Sequence, residues 1–139
     1  MATIQRFEDL EIWQLSRQLA KEIYAFTKSE KLSKDFALKD QMNRSAGSIM
    51  DNIAEGFGRA SRLEFIQFLS ISTGSAAELQ SQIYRCSDKE YMDEFFFNDL
   101  AEKTNAVYKK TNGFIKYLNS TIIKGTKFKE RVQSSKNDK

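Results

Sequence analysis

Asp51 and Glu55, two carboxylates at i and i+4, are the arrangement in this 139-residue sequence that comes nearest to a catalytic pattern. On a helix they share one face, and metal-assisted phosphodiester hydrolysis is the chemistry such a pair would serve. Pairs at this spacing are ordinarily just solvated, and the rest of the sequence gives this one no support. There is no histidine. That excludes Glu-x-x-His di-iron ligation, an axial haem histidine, and any Ser-His-Asp or Cys-His constellation. The single cysteine, Cys86, falls in an apolar stripe with no base to activate it, so it reads as a small buried residue and cannot form an intramolecular disulfide. No Gly-x-x-x-x-Gly-Lys or Gly-x-Gly-x-x-Gly run is present to cradle a phosphate. The sequence therefore predicts no enzyme, no metal and no cofactor, and a protein that works by binding or assembly.

The elements that position these residues are helices. The chain has no Pro and only 6 Gly, too little punctuation for an all-β protein, and its charged (29%) and hydrophobic (40%) fractions are ordinary for a globular domain. Ile12, Leu15, Leu19, Ile23 and Phe26 recur at helical spacing, as do Leu38, Met42, Ala46, Ile49 and Ile53. Phe65, Leu69, Ser72, Ala76, Leu79, Ile83 and Cys86 follow a strict 3.5-residue repeat. Phe97, Leu100, Thr104, Val107, Thr111, Phe114 and Leu118 continue it, with two threonines weakening the seam.

Ser33 is an available cap for the second helix, and the glycines of Gly56-Phe57-Gly58 suit a left-handed stop at its end. Ser61-Arg62-Leu63-Glu64 has the form of a capping box, and Asp93 or Asn98 caps the fourth helix. The expectation is an all-α, antiparallel up-and-down four-helix bundle with left-handed packing. It spans residues 1–123, with helices at about 8–28, 34–56, 61–88 and 94–120, followed by a basic, disordered tail at 124–139.

No stretch of about 18 apolar residues is present, and the first residues lack the apolar core of a secretory signal, so the expected location is the cytoplasm, with no membrane partner. The formal charge of +3 conceals an asymmetry. Residues 1–102 carry 12 Lys/Arg against 17 Asp/Glu, whereas residues 103–139 carry 10 against 2. Concentrated basic charge suits an anionic partner, because Lys and Arg release counterions from phosphates.

The segment from Arg44 to Arg59, RSAGSIMDNIAEGFGR, strongly resembles the four-helix-bundle family named after the 23S rRNA intervening-sequence proteins. A second block, Glu64 to Gln82, looks like that family's third helix, and Leu10, Ile12, Trp13 and Tyr24 fit its first. The resemblance covers roughly residues 7–119 and does not reach the tail. The family is named for reading frames inside insertions of bacterial 23S rRNA genes. Related bundles are accessory factors of diversity-generating retroelements that assemble as pentameric barrels and are thought to bind nucleic acid beside a reverse transcriptase. The resemblance implies a ring-like homo-oligomer, a pentamer, with a basic surface.

Individual residues carry competing readings. Asn52 and Glu55 serve either a ligand or a structural polar network with Gln41, Ser75 and Gln82, and the network is favoured. Gly74, in a run of small residues, would let a neighbouring helix approach closely. Arg44, Arg59 and Arg62 flank the turn between helices two and three. They either grip phosphates or form ordinary surface pairs, for instance with Glu55. Lys109, Lys110, Lys116, Lys124, Lys127, Lys129 and Arg131 make the larger electrostatic candidate, or a merely solubilising end. Trp13, Ile66, Phe68, Ile71, Phe95 and Phe96 exceed what one bundle can bury and are candidates for an oligomer interface. Two functions follow: a non-enzymatic homo-oligomer binding RNA or DNA through a basic surface, or a structural adaptor for protein partners with no nucleic-acid role.

Overall fold

The computed structural model describes the backbone of residues 4–136 and the side chains of residues 4–121. Four helices follow in order: α1 Glu11–Phe26, α2 Phe36–Phe57, α3 Arg62–Asp88 and α4 Glu94–Lys136, with short 3-10 turns at Phe7–Asp9 and Leu32–Lys34. Each packs on the next and α4 returns to α1, forming an all-α antiparallel bundle. Lys31 Nζ donates to the Glu90 carbonyl at 3.3 Å, which brings the α1–α2 and α3–α4 loops to one end. Arg62 Nη1 donates to Thr121 Oγ1 at 2.7 Å at the other, beside the α2–α3 turn.

The seams behave as their periodicity dictates. Leu38, Met42, Ala46, Ile49 and Ile53 of α2 are buried, as are Leu69, Ser72, Ala76, Leu79, Ile83 and Cys86 of α3. Among the α4 threonines, Thr104 donates to the Leu100 carbonyl at 2.8 Å, while the buried Thr111 hydroxyl has no partner. The second threonine weakens the seam by leaving a polar group unmet.

Four local details differ from the sequence reading. Asp35 and not Ser33 caps α2, accepting from the Leu38 N–H at 3.3 Å, because Ser33 instead donates to the Glu30 carbonyl. Gly56 and Gly58 do not adopt a left-handed cap. Gly58 lies at φ −76, and Gly56 is helical and buried, where a Cβ would come 2.7 Å from Phe68 Cβ and 2.9 Å from Phe65 Cδ1. Its requirement is close approach to α3.

The left-handed residue is Glu90, φ 61, after α3, where Tyr91 N–H bonds to the Cys86 carbonyl and Glu90 N–H to that of Ser87. This is a Schellman closure with a glutamate where glycine is usual. A Cβ on Gly74 would meet nothing within 4 Å, so no helix of the same chain approaches it closely.

Helical backbone extends to Lys136, beyond the end near 120 read from the seam. Lys, Arg, Glu and Gln in that stretch all favour helix, and Gly125 alone opposes it strongly. The side chains from residue 122 onward lie outside the described residues, and the expectation of a disordered tail falls on that segment. Among the described residues, no helix is long and apolar enough to cross a membrane.

Gly56→Ala gains helix propensity, about 1 kcal/mol, but forces a carbon against Phe68 Cβ, which is fixed to its own backbone and cannot swing aside. We expect Gly56→Ala to lower stability by about 1–3 kcal/mol in urea denaturation. Gly47→Ala, with nothing within 4 Å of the added carbon, should raise it by about 0.5–1 kcal/mol.

Candidate nucleic-acid interface

The α2–α3 turn gathers the arginines that the sequence singled out. Ser61 opens α3 by accepting from the Glu64 N–H at 3.3 Å, one half of the expected capping box. Phe57, Arg59, Ser61, Arg62, Phe65 and Leu118 line a shallow cleft of about 250 Å3 beside this helix start. The positive end of the α3 dipole lies at this cleft.

The two arginines here differ. Arg59 Nη2 lies 2.9 Å from Glu55 and Nη1 3.9 Å from Glu64, with the guanidinium 5.0 Å above the Phe68 ring. Two carboxylates offset its charge, and Phe68 fixes its direction. Arg62 forms no ion pair among the described residues and bonds to the neutral Thr121 hydroxyl, which leaves its charge available.

The remaining cations fall into two groups. Arg44 pairs with Asp40 at 2.9 Å on an exposed face of α2, away from the turn, and Lys110 lies 3.6 Å from Glu11. Exposed pairs of this kind contribute about 0–1 kcal/mol and hold neither side chain tightly. Lys109 and Lys116 are exposed, seven residues apart on one face of α4, with no ion pair among the described residues. Lys103, which the sequence reading passed over, bridges Glu22 at 2.8 Å and Asp99 at 3.0 Å, and these carboxylates raise its pKa. The side chains of Lys124, Lys127, Lys129 and Arg131 lie outside the described residues; their backbone continues α4 from the α2–α3 end.

The polar network is wired differently from expectation. Asn52 reaches back one turn to the Ser48 carbonyl at 2.8 Å and hydroxyl at 3.0 Å, and Glu55 turns to Arg59, because each finds its partner at i±4 on its own helix. Bonds that cross between α2 and α3 include Ser48–Ser75 at 2.8 Å, Ser45–Glu78 at 3.3 Å and Ser72 to the Ile49 carbonyl at 2.8 Å. Gln41 accepts from Arg85 at 3.1 Å, and the enclosed Gln82 Oε1 has no partner. Glu55 is thus committed to Arg59 while Asp51 stays exposed. No group of three His, Cys, Asp or Glu side chains among the described residues is placed to hold a metal ion. Burial pushes the Cys86 thiol up to about 11, and it contacts Met42 Sδ at 3.4 Å.

Of the interface candidates, Ile71 and Phe95 are exposed, Phe95 at 82%. Trp13 packs edge-on against Phe7, Phe96 against Phe26, Ile66 on the core, and Phe68 beneath Arg59. Wide apolar arcs are consumed by contacts within the bundle. The sequence reading missed the exposed Phe36, Leu63, Tyr84, Tyr108 and Tyr117, since single apolar side chains outside a seam carry no periodic signal.

A second missed feature ties the opposite end together. Asp35 Oδ2 accepts from Lys89 Nζ and from Tyr91 Oη, each at 2.9 Å, joining the start of α2 to the α3–α4 loop. The Lys89 hydrogen bond, then that of Tyr91, holds the Asp35 carboxyl below its ordinary pKa, and the same carboxylate raises both partners. Glu30, Asp88, Glu90, Asp93 and Glu94 lie in or beside the same loops, interspersed with Lys28, Lys31, Lys34 and Lys89.

Fold and site together define a four-helix-bundle protein with two arginines set beside the start of its third helix. The chain belongs to the 23S rRNA-intervening sequence protein family, whose model matches residues 8–113. It is similar, with 27% identity and a TM-score of 0.70, to a crystal structure of a protein with unknown function from the S23 ribosomal protein family of Bacteroides thetaiotaomicron. That alignment covers 76% of this chain and 98% of that one. No curated protein matches the chain.

Because the folded pKa of Asp35 is depressed, its stabilisation is complete above the unfolded value of about 3.9 and is lost as pH falls through the folded value. Asp35→Asn keeps a capping oxygen but removes the charge. Its melting midpoint should lie below that of the unsubstituted chain at pH 7, and the gap should close on acidification below about pH 3.9. A gap independent of pH would assign the loss to packing.

Proposed function

We propose that this chain is a non-enzymatic, homo-oligomeric bundle that binds RNA or DNA through a basic surface, with a pentamer as the assembly that family resemblance favours. The observation that carries the reading is an arginine left without an ion pair at the α3 start, at the end from which the basic C-terminal sequence continues. Arg62, unpaired with any described carboxylate, stands with Arg59 beside the start of α3, and Lys116 lies on α4, whose Lys-rich continuation proceeds from that end.

The mechanism is phosphate neutralisation. The Arg62 guanidinium and the α3 N-terminus supply fixed N–H donors, Lys116 and Lys109 supply mobile charges along α4, and binding gains from counterion release. These contacts grip a backbone and carry no sequence preference. Arg59 contributes once a phosphate competes with Glu55 and Glu64 for it.

An adaptor role is the second reading, favoured by Phe36 and Phe95, 72% and 82% exposed, at the opposite end. A reverse transcriptase is the protein partner that resemblance suggests for either reading.

Titration of fluorescent RNA and duplex DNA at two salt concentrations, alongside the mass of the assembly in solution, separates the two. The nucleic-acid reading expects an oligomer whose affinity falls steeply with salt, and expects Arg62→Ala to lower the log–log salt slope by about one. Absence of binding at low salt would leave the adaptor role.

A further inference from the structure

A trough of about 440 Å3 lies between the outer faces of α3 and α4, and the phosphate-gripping surface makes no use of it. Its floor is small, formed by Ala76 and Ala77, and Tyr84 and Tyr108 line it from the two helices. The tyrosines are 54% and 38% exposed. Tyr84 is braced edge-on by Phe97 at 5.1 Å, so its ring is held while one side stays open to solvent. The volume falls within the range of small-molecule sites, about 300–1,000 Å3.

The polar groups in this apolar trough are few. Asn105 presents an exposed amide on its rim. Gln80 is half-buried, its Oε1 is enclosed without a hydrogen-bond partner, and its Nε2 holds the Ala101 carbonyl only at 3.4 Å. Rotating that amide toward an incoming donor breaks one long bond and satisfies an unmet acceptor, which favours an occupant carrying N–H groups on its edge. Lys109, one helical turn from Asn105 on α4, is exposed and has no ion pair among the described residues; Lys116 continues that line toward the α2–α3 end.

We infer that the trough takes an unstacked nucleobase of a single strand, one face against Tyr84 or Tyr108 and its N–H edge on Gln80, while Lys109 meets the adjoining phosphate. The site deepens the nucleic-acid reading and rests on it. Flat aromatic rings over an apolar floor accept any base, because stacking tolerates sequence, and a neighbouring cation tracks the backbone. A second copy of the chain is the competing occupant, and the mass of the assembly in the Tyr84 and Tyr108 variants tells the two apart.

Two measurements on the full chain test the site. In the first, the 15N-labelled protein is titrated with adenosine and uridine monophosphates, with ribose 5-phosphate as control. The side-chain amides of Gln80 and Asn105 should shift with the nucleotides and stay in place with the sugar phosphate. No shift, or equal shifts with ribose 5-phosphate, would overturn the site.

In the second, fluorescent single-stranded RNA is compared with an abasic strand of equal length. Tyr84→Leu and Tyr108→Leu should each weaken binding of the RNA roughly tenfold and leave the abasic strand unchanged. Equal losses on both strands, unchanged RNA affinity, or an altered assembly mass in either variant would count against it, the last by assigning the face to a second copy. Nucleotide shifts without strand binding would keep the trough and remove the reading of the α2–α3 end, whereas strand binding without nucleotide shifts would do the reverse.

Discussion

Gly56 lies where α2 and α3 come so close that only a hydrogen atom fits between the α2 backbone and Phe68 Cβ. Much of the α2–α3 end follows from that approach. With α2 pressed against Phe65 and Phe68, the chain reverses over the short segment 58–61, and Phe65 is free to stack edge-on against Phe57 on one side and Phe114 on the other. Phe68 then supplies the ring on which Arg59 rests, and α3 begins where Arg62 reaches α4. A bulkier residue at 56 would splay the helices and move both arginines. The same pair of helices is held further along by Ser48–Ser75 and by Ser72 on the Ile49 carbonyl, hydroxyl contacts that only small side chains at a close interface can make.

The two ends of the bundle are tied differently. One is joined by Asp35, Lys89 and Tyr91 across two loops in which acidic residues alternate with Lys28, Lys31 and Lys34. The other sets Arg59 and Arg62 around the α3 N-terminus, with Glu55 and Glu64 beside Arg59. Single surface pairs of this kind contribute little to stability. Residues 4–121 carry 16 Lys/Arg against 17 Asp/Glu, so the net charge of +3 comes from the sequence beyond them, where 6 Lys/Arg face 2 Asp/Glu.

The bundle was legible from the seams because burial imposes a period that composition alone cannot hide: all five α2 seam residues and six of seven in α3 are buried. Starts and stops were less legible. Asp35 and Ser33 are equally good caps on paper, and only the reach of Lys89 and Tyr91 to Asp35 decides between them. The third helix does end at Asp88, as the spacing indicated, but Glu90 holds a left-handed conformation that glycine normally marks, so the closing turn itself was not announced. Gly56 was noticed for the wrong reason, since a glycine at a helix end reads as a cap unless the neighbouring helix is in view. Asn52, Glu55 and Trp13 sat correctly on their helices, but their partners lay within the same helix or in the same chain, and one-dimensional spacing cannot rank those against a neighbour or a second subunit. Tyr84 carried no motif and Gln80 was an unremarked position in the Glu64–Gln82 block; only the meeting of α3 with α4 gives them a common cavity.

The account holds that α2 and α3 form the part of the molecule on which the other helices depend. Native-state hydrogen exchange under increasing urea measures this most directly. Amides of Ile49, Ile53, Leu69, Ser72 and Ala76 should exchange only with the free energy of global unfolding, while those of α1 open earlier. Exchange of the α3 amides through local opening, with α1 still protected, would contradict it.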